Sequence, residues 1–258
     1  MLVGFNRCLS ASMPAIEAKV LQPLRDAGCE VSVDILVSRS RRTVVNPRSG
    51  ESGSGEWKLP PSATRYRTRT WNATLLDLRV RSRFRAALRV GDPWPESDSK
   101  NLRNQISILK LQHLTVRRID DGADLVFFIR LDLMPLDDFD IGRYADIASD
   151  AVVVPYWHPF GGYNDRLALM PPHLARRYLG RWQLIPYYLS TGRVLHAERF
   201  LRFALRKHRV EQVMVERFNR MRVGGVEHHE DFLAYLPAWK WERVGIIPGT
   251  NGDYPPRT

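Results

Sequence analysis

Residues 124–133 read DLVFFIRLDL. Leu125, Phe127, Ile129, Leu131 and Leu133 alternate with Val126, Phe128, Arg130 and Asp132, and both sets are apolar until one face turns charged at the end. That pattern predicts a strand buried on both faces, with a cation and a carboxylate at its carboxyl end. Upstream, Met1–Phe5 is a short apolar segment, and CEVSVDILV (29–37) alternates through Val31, Val33, Ile35 and Val37. Between them Ile16, Val20, Leu21 and Leu24 form a helical stripe. Ser12 can cap this helix, Pro14 suits its first turn, Pro23 shortens or kinks it, and Gly28 can end it. Strand, helix, strand is the opening of an α/β fold.

The pattern continues with two helices. Leu76, Val80, Phe84 and Leu88 recur every four residues over 72–90. Leu102, Ile106, Leu109 and Val116 mark a second helix over about 99–118, with Asn101, Arg103, Asn104 and Gln105 as a polar cluster in its first turns. AVVVP (151–155) reads as another buried strand. Helices are expected near 172–180 and 196–208, the latter placing Phe200, Leu201 and Leu205 in the core. VEHHEDFLAYL is helix-like, and WERVGIIP reads as a late strand. Residues 39–70 change character: NPRSGESGSGEW is rich in Gly and Ser and predicts a mobile loop or lid, while ATRYRTRTW alternates as an edge strand. Residues 249–258 form a polar tail. No linker divides the chain, so one domain over 1–258 is expected.

Composition narrows the class. The 258 residues are 44% hydrophobic, as in an ordinary globular protein and unlike a disordered one. No apolar run reaches the length of a membrane span, and the start lacks signal-peptide architecture. Cys8 and Cys29 make neither a disulfide framework nor a zinc pattern, which suits a reducing compartment. The net charge is +11, carried overwhelmingly by arginine. Arginine favours bidentate contact with phosphate and carboxylate. The arginines are spread along the chain, so codon bias is the plain alternative.

Four segments carry candidate chemistry. The turn with Gly4, Asn6 and Arg7 precedes a helix amino terminus, where phosphate commonly binds, though it is neither a Walker loop nor a dinucleotide fingerprint. Arg130 and Asp132 are a ligand-facing pair or a structural salt bridge. In GGYNDR, Asn164, Asp165 and Arg166 set three different functional groups after a Gly-Gly pair, where a tight turn is the plain alternative. His228, His229, Glu230 and Asp231 are either the acidic start of a helix or metal and acid/base chemistry.

In this order the segments VGFNR, NLRNQISILKLQ, FFIRLDL, GGYNDR and HHEDFLAYL resemble GT-A class glycosyltransferases, which use nucleotide sugars. The match runs over most of residues 1–240 through short motifs. It implies an α/β, single Rossmann-like domain with a mixed central sheet flanked by helices. It also implies transfer of a sugar to a hydroxyl acceptor, as in cell-envelope polysaccharide or glycolipid synthesis. Gly4, Asn6, Arg7, Arg130, Asp132, Asn164 and Arg166 would contact the donor. Glu230, Asp231 and Asp165 are the candidate bases, with Glu230 or Asp231 favoured. A divalent Mn or Mg would be held by Asp132 and His228. Here the sequence departs from the family's usual pair of acids flanking one residue, because the first position is Arg130, which puts metal dependence in doubt. The implied partners are a nucleotide sugar and a glycan or glycolipid, with no nucleic acid. The implied location is cytoplasmic, peripheral to the inner face of a membrane. Two other classes stay open. A nucleotide-dependent sulfotransferase would explain VGFNRCLSAS but leaves Asp132 and GGYNDR without a role. A basic nucleic-acid binding protein should show a recognised module or a concentrated basic stripe, and neither is present.

Overall fold

The computed structural model describes residues 1–6, 8–39, 43–46, 51–54, 59–72, 75, 76, 78, 84, 100–213, 217–223 and 227–228. Strand β1 (Leu2–Phe5) leads into helix α1 (Leu9–Ile16), a π-helical stretch (Glu17–Leu21) and α2 (Gln22–Asp26). Then come β2 (Asp34–Arg39), a hairpin of β3 (Thr43–Asn46) and β4 (Glu51–Ser54), a short helix α3 (Pro61–Thr64) and β5 (Arg67–Asn72). Helix α4 (Lys100–Thr115) precedes β6 (Val126–Arg130) and β7 (Leu133–Pro135). Further along come α5 (Ala145–Ala148), β8 (Val152–Pro155), β9 (Leu167–Met170), α6 (Pro172–Gly180), α7 (Ile185–Ser190), α8 (Ala197–Ala204), β10 (Val210–Val213), β11 (Phe218–Met221) and β12 (Glu227–His228), with short 3-10 turns at Val116–Arg118, Ile141–Arg143 and Arg181–Leu184.

Among the described residues, seven strands form one sheet in the order β10-β8-β9-β6-β1-β2-β5. β9 runs antiparallel to both its neighbours, and the other pairs in the sheet are parallel, so the sheet is mixed. All four strands expected from the pattern contribute to it, but β2 begins only at Asp34 and β6 ends at Arg130, leaving Asp132 in the turn that follows and Leu133 in β7; 67–72 is its edge. Alternation sorts the side chains onto two faces. Leu2, Ile35, Val37 and Ile129 pack with Leu9, Met13, Ile16 and Val20 of the first helical run. Val3, Leu36 and Phe128 pack with Leu111 of α4, Leu174 and Tyr178 of α6 and Leu201 of α8. The fold is thus α/β with helices on both faces, as the sequence predicts.

Several local expectations need correcting. The first helix starts at Leu9 and not after Ser12, so Pro14 lies inside it. Ser12 is buried and donates its hydroxyl to the Leu131 carbonyl at 3.0 Å. Pro23 has no N–H for the Lys19 carbonyl, which instead accepts from Phe139 N–H at 2.7 Å, beside the π-helical stretch. Gly28 ends the run with φ +83, as expected of a helix stop. Leu167–Met170 is a full strand, although its four buried residues carry no alternation. Glu227–His228 is a strand paired with β11, not the start of a helix. Within 39–70 the hairpin, α3 and most of β5 are ordered elements. Of the helix over 72–90, Leu76 and Phe84 are buried, and Val80 and Leu88 lie outside the described residues. The late strand and the tail also lie outside them. Among the described residues, no helix is long and apolar enough to cross a membrane.

Candidate functional site

β1 has β2 on one side and β6 on the other, both parallel to it. The helical run leaving β1 covers one face, and α4, which leads into β6, covers the other. The carboxyl ends of β1 and β6 therefore flank a topological switch point, where open α/β sheets bind ligands. Gly4 makes their close approach possible: a Cβ there would lie 3.1 Å from Leu131 Cβ and 3.3 Å from Leu131 N. Asn6 is 3% exposed, and its N–H bonds the Ser38 carbonyl at 2.8 Å. Cys8 Sγ donates to the Arg222 carbonyl.

The charged end of β6 is the centre of the arrangement. Arg130 donates from Nε and Nη2 to the two oxygens of Asp132 at 2.9 and 2.7 Å. Its Nη1 stands 3.5 Å from Asp165 Oδ1. Burial alone would lower the Arg130 pKa, but the carboxylates of Asp132, Asp165 and Glu198 outweigh it and raise it. Asp165 reaches this place because β9 is antiparallel to β6: the segment entering β9 lies beside the end of β6, with Ile129 opposite Leu167. Arg130 N–H bonds the Arg166 carbonyl at 3.0 Å. Asn164 holds the turn, donating to the Trp157 carbonyl at 2.6 Å and accepting from Arg166 N–H at 2.9 Å. The Arg166 guanidinium lies 5.2 Å from the centre of the Trp157 ring.

The small sheet β12-β11-β7 adds a third side. Met221 N–H bonds the Asp132 carbonyl at 2.8 Å, and Arg220 Nη2 approaches Asp132 Oδ2 at 3.6 Å. β12 sets the His228 backbone opposite Arg220. The structure thus brings together Gly4, Asn6, Arg130, Asp132, Asn164, Asp165 and Arg166. The His228 side chain, Arg7, His229, Glu230 and Asp231 lie outside the described residues.

Glu198, Arg220 and Arg181 join this setting without any motif to announce them. Glu198 is 8% exposed at the start of α8 and pairs with His196 Nδ1 at 3.1 Å. An acid in the first turn of HAERFLRF gave only the signal of an ordinary helix start. The loop before GGYNDR is held against it: a Cβ on Gly162 would lie 2.0 Å from the Glu198 carbonyl carbon, and Tyr163 N–H bonds Glu198 O at 3.1 Å. In the same loop His158 and Phe160 have φ of 50° and 41°, and Phe160 is 42% exposed. Two non-glycine residues in the left-handed region mark strain of the kind that clusters at ligand sites. Gln105 is used differently from the sequence reading. With its amide turned to satisfy both neighbours, it bonds Leu195 O at 3.1 Å and Ala197 N at 2.8 Å, bracing the entry to α8.

A divalent cation does not fit the described residues. Both Asp132 oxygens are engaged by Arg130. Among the described residues no group of three His, Cys, Asp or Glu side chains is placed to hold a metal.

No protein-family model matches the chain, and no curated protein sequence matches it significantly. Three solved structures similar to the chain are those of glycosyltransferases. The galactosyltransferase LgtC, in complex with donor and acceptor sugar analogs, has a TM-score of 0.43 and 12% identity, covering 82% of this chain and 72% of its own. An active-site mutant of LgtC has a TM-score of 0.43 and 14% identity, covering 82% and 71%. Mouse xyloside xylosyltransferase 1, apo form, has a TM-score of 0.39 and 10% identity, covering 82% and 83%. These values are too low to carry an argument about activity.

Proposed function

We propose that the chain is a glycosyltransferase that moves a sugar from a nucleotide-sugar donor to a hydroxyl acceptor. One observation carries this reading: arginines and carboxylates from β6, the segment entering β9 and β11 converge at the switch point between β1 and β6. The GT-A-like order of motifs in the sequence supports it independently.

In this reading the donor's diphosphate lies over the carboxyl ends of β1 and β6, near Gly4, Asn6 and Arg7. Transfer breaks the bond between the sugar's anomeric carbon and a diphosphate oxygen, and the acceptor oxygen bonds that carbon. Negative charge develops on the departing diphosphate, and Arg130, Arg166 and Arg220 are the cations that stabilise it. Asp132 fixes the Arg130 guanidinium through two hydrogen bonds and is the candidate contact to the donor ribose. The acceptor's proton passes to a carboxylate within about 3 Å of its oxygen. Asp165 is the candidate among the described residues, and Glu230 and Asp231 remain candidates from the sequence. The whole of 1–258 acts as one domain. Its excess of arginine favours an acidic or lipid-linked glycan acceptor in cell-envelope synthesis, at the inner face of a membrane.

A thermal-shift screen with nucleotides tests the proposal. Stabilisation by UDP, GDP or CDP and their sugars is the expected result. Stabilisation by adenosine 3′,5′-bisphosphate alone would turn the assignment to a sulfotransferase.

A further inference from the structure

Charge is unevenly spread over 171–210, where eight arginines and a lysine stand against a single acid, Glu198. Glu198 does not bring its charge to the surface, because it is buried and pairs with His196 Nδ1 at 3.1 Å. Helix α8 turns Phe200, Leu201 and Ala204 into the core. Its other side carries Arg199, Arg202 and Phe203, and Arg206 follows just beyond its end. The spacing i, i+3, i+4 and i+7 sets all four on one face. The three arginines are exposed, and Phe203 is half-buried between cations. The Arg206 guanidinium lies 4.2 Å from the centre of the Phe203 ring, and that of Arg193 lies 5.5 Å from it.

Apolar groups gather on the same face. Tyr187 of α7 is 57% exposed, with its ring 5.8 Å from that of Phe203. Val194, beside Arg193, is 42% exposed. Phe160 joins them at the start of α8: its carbonyl accepts from Arg199 Nε at 3.2 Å, and its exposed ring lies 6.2 Å from that of His196. Arg206 Nη1 donates to the Phe203 carbonyl at 2.8 Å. Among the described residues, none of Arg193, Arg199, Arg202 and Arg206 forms an ion pair with a carboxylate. Other surface arginines are matched: Arg209 pairs with Asp150 and Glu211, and Arg176 with Asp121. The unmatched charge of this face is therefore not simply the arginine-rich composition of the chain.

A single exposed apolar side chain needs no explanation, but three on one face among four unmatched arginines do. A partner for this face must accept negative-charge contacts and apolar side chains at nearly the same depth. An anionic bilayer does so: headgroup phosphates meet the guanidinium groups, and aromatic and aliphatic side chains enter the layer just beneath. Nucleic acid supplies phosphates but no apolar layer for Val194. We propose that the α7–α8 face docks on an anionic lipid bilayer, with Arg193, Arg199, Arg202 and Arg206 at the headgroups and Phe160, Tyr187 and Val194 in the interface. The inference stands whether or not the chain transfers sugars. The face adjoins the candidate site through one loop, which leaves β8 at the sheet edge where β1 and β6 also end and runs through Phe160 to Asp165. Docking would set the rim of the crevice beside the bilayer, a placement suited to a lipid-linked acceptor.

Sedimentation of the full chain with vesicles of phosphatidylcholine and phosphatidylglycerol in equal parts, against vesicles of phosphatidylcholine alone, tests the proposal. Binding to the anionic vesicles is expected, weakening as salt is raised. Each arginine at an anionic surface contributes about five-fold, so Arg202→Gln should weaken binding by about that factor and Arg202→Gln with Arg206→Gln by about twenty-fold. Tyr187→Ser with Val194→Ser should weaken it while leaving its salt dependence unchanged. Arg69→Gln, exposed on β5 at the far edge of the sheet, should leave it unchanged and controls for the net charge of +11. All these positions are exposed, so the variants should keep the wild-type thermal transition. No preference for anionic vesicles overturns the proposal. An equal loss in Arg69→Gln and Arg202→Gln overturns it too, since net charge alone would then account for binding. Saturable binding of a single-stranded oligonucleotide without vesicle binding would also overturn it and turn the face to nucleic acid.

Discussion

Replacing Arg130 by glutamine removes the cation from the centre of the site and keeps much of its length. In the folded protein its side chain is 15% exposed, and those of Asp132 and Asp165 are 10% and 7% exposed. The substitution deletes the two hydrogen bonds at 2.9 and 2.7 Å and the 3.5 Å approach to Asp165. Asp132 then keeps Arg220 at 3.6 Å, a longer and less direct contact. Breaking a buried ion pair by removing one partner costs about 3–5 kcal/mol. An amide hydrogen bond from glutamine returns about 1 kcal/mol. The net expectation is a loss of about 2–4 kcal/mol, a large share of the ~5–15 kcal/mol that holds a typical domain together. Urea unfolding of the wild type, Arg130→Gln, Asp132→Asn and the double variant measures it as a cycle. The double variant should be more stable than the two single losses add up to, by about 1–3 kcal/mol. Additive losses, or an Arg130→Gln loss below about 1 kcal/mol, would refute the reasoning that these groups are buried and mutually compensating.

Three further outcomes follow from the geometry. Gly162→Ala puts a methyl group 2.0 Å from the Glu198 carbonyl and should lower stability by about 3 kcal/mol or more, whereas Gly28→Ala, with φ +83 and open space around it, should cost only about 1–2 kcal/mol; thermal unfolding compares the two. Burial alone would raise the Asp137 pKa, but hydrogen bonds from the Arg217 side chain and backbone hold it below its ordinary value. Because the folded pKa is depressed, the pair's contribution is fully present above the unfolded value of about 4 and is lost as pH falls through the folded value. The stability gap between wild type and Arg217→Gln should therefore be constant at neutral pH and narrow below about pH 4; a gap that widens in acid contradicts it. Asp165→Asn should abolish transfer while nucleotide binding persists, as read by product formation and calorimetry. If it keeps full transfer, the base is to be sought at Glu230 or Asp231.

The strand 124–133 was legible because a run apolar on both faces and charged only at its end has few other solutions. The same logic found β1, β2 and β8, and the alternation of ATRYRTRTW found the sheet edge. Leu167–Met170 escaped because four consecutive apolar residues show no period. Only its antiparallel pairing with β6 reveals it as the element that carries Asp165 to Arg130. Glu227–His228 misled because acids beside an apolar run also describe a helix start. Pairing with β11, a long-range contact, decides the matter there. The Gly-Gly pair signalled a special backbone, but the need for Gly162 comes from the Glu198 carbonyl, 36 residues away in a helix whose sequence is ordinary. Arg220 and Arg181 were invisible for a related reason: in a chain this rich in arginine, type and spacing do not separate the buried ones from the solvated ones. Some of that arginine is structural, since Asp34 is flanked by Arg67 and Arg118, and Asp137 by Arg217.

Calorimetric titration of nucleoside diphosphate sugars into the wild type and Asp132→Asn, with transfer measured on the same preparations, tests the account most directly. The wild type should bind at least one UDP-, GDP- or CDP-sugar saturably. Asp132→Asn, folded as judged by its thermal transition, should lose transfer by roughly a hundredfold or more, on the order of 3 kcal/mol of transition-state stabilisation. Binding of no nucleotide sugar by the wild type, or undiminished transfer in folded Asp132→Asn, would contradict the claim that the β1–β6 crevice is the donor site.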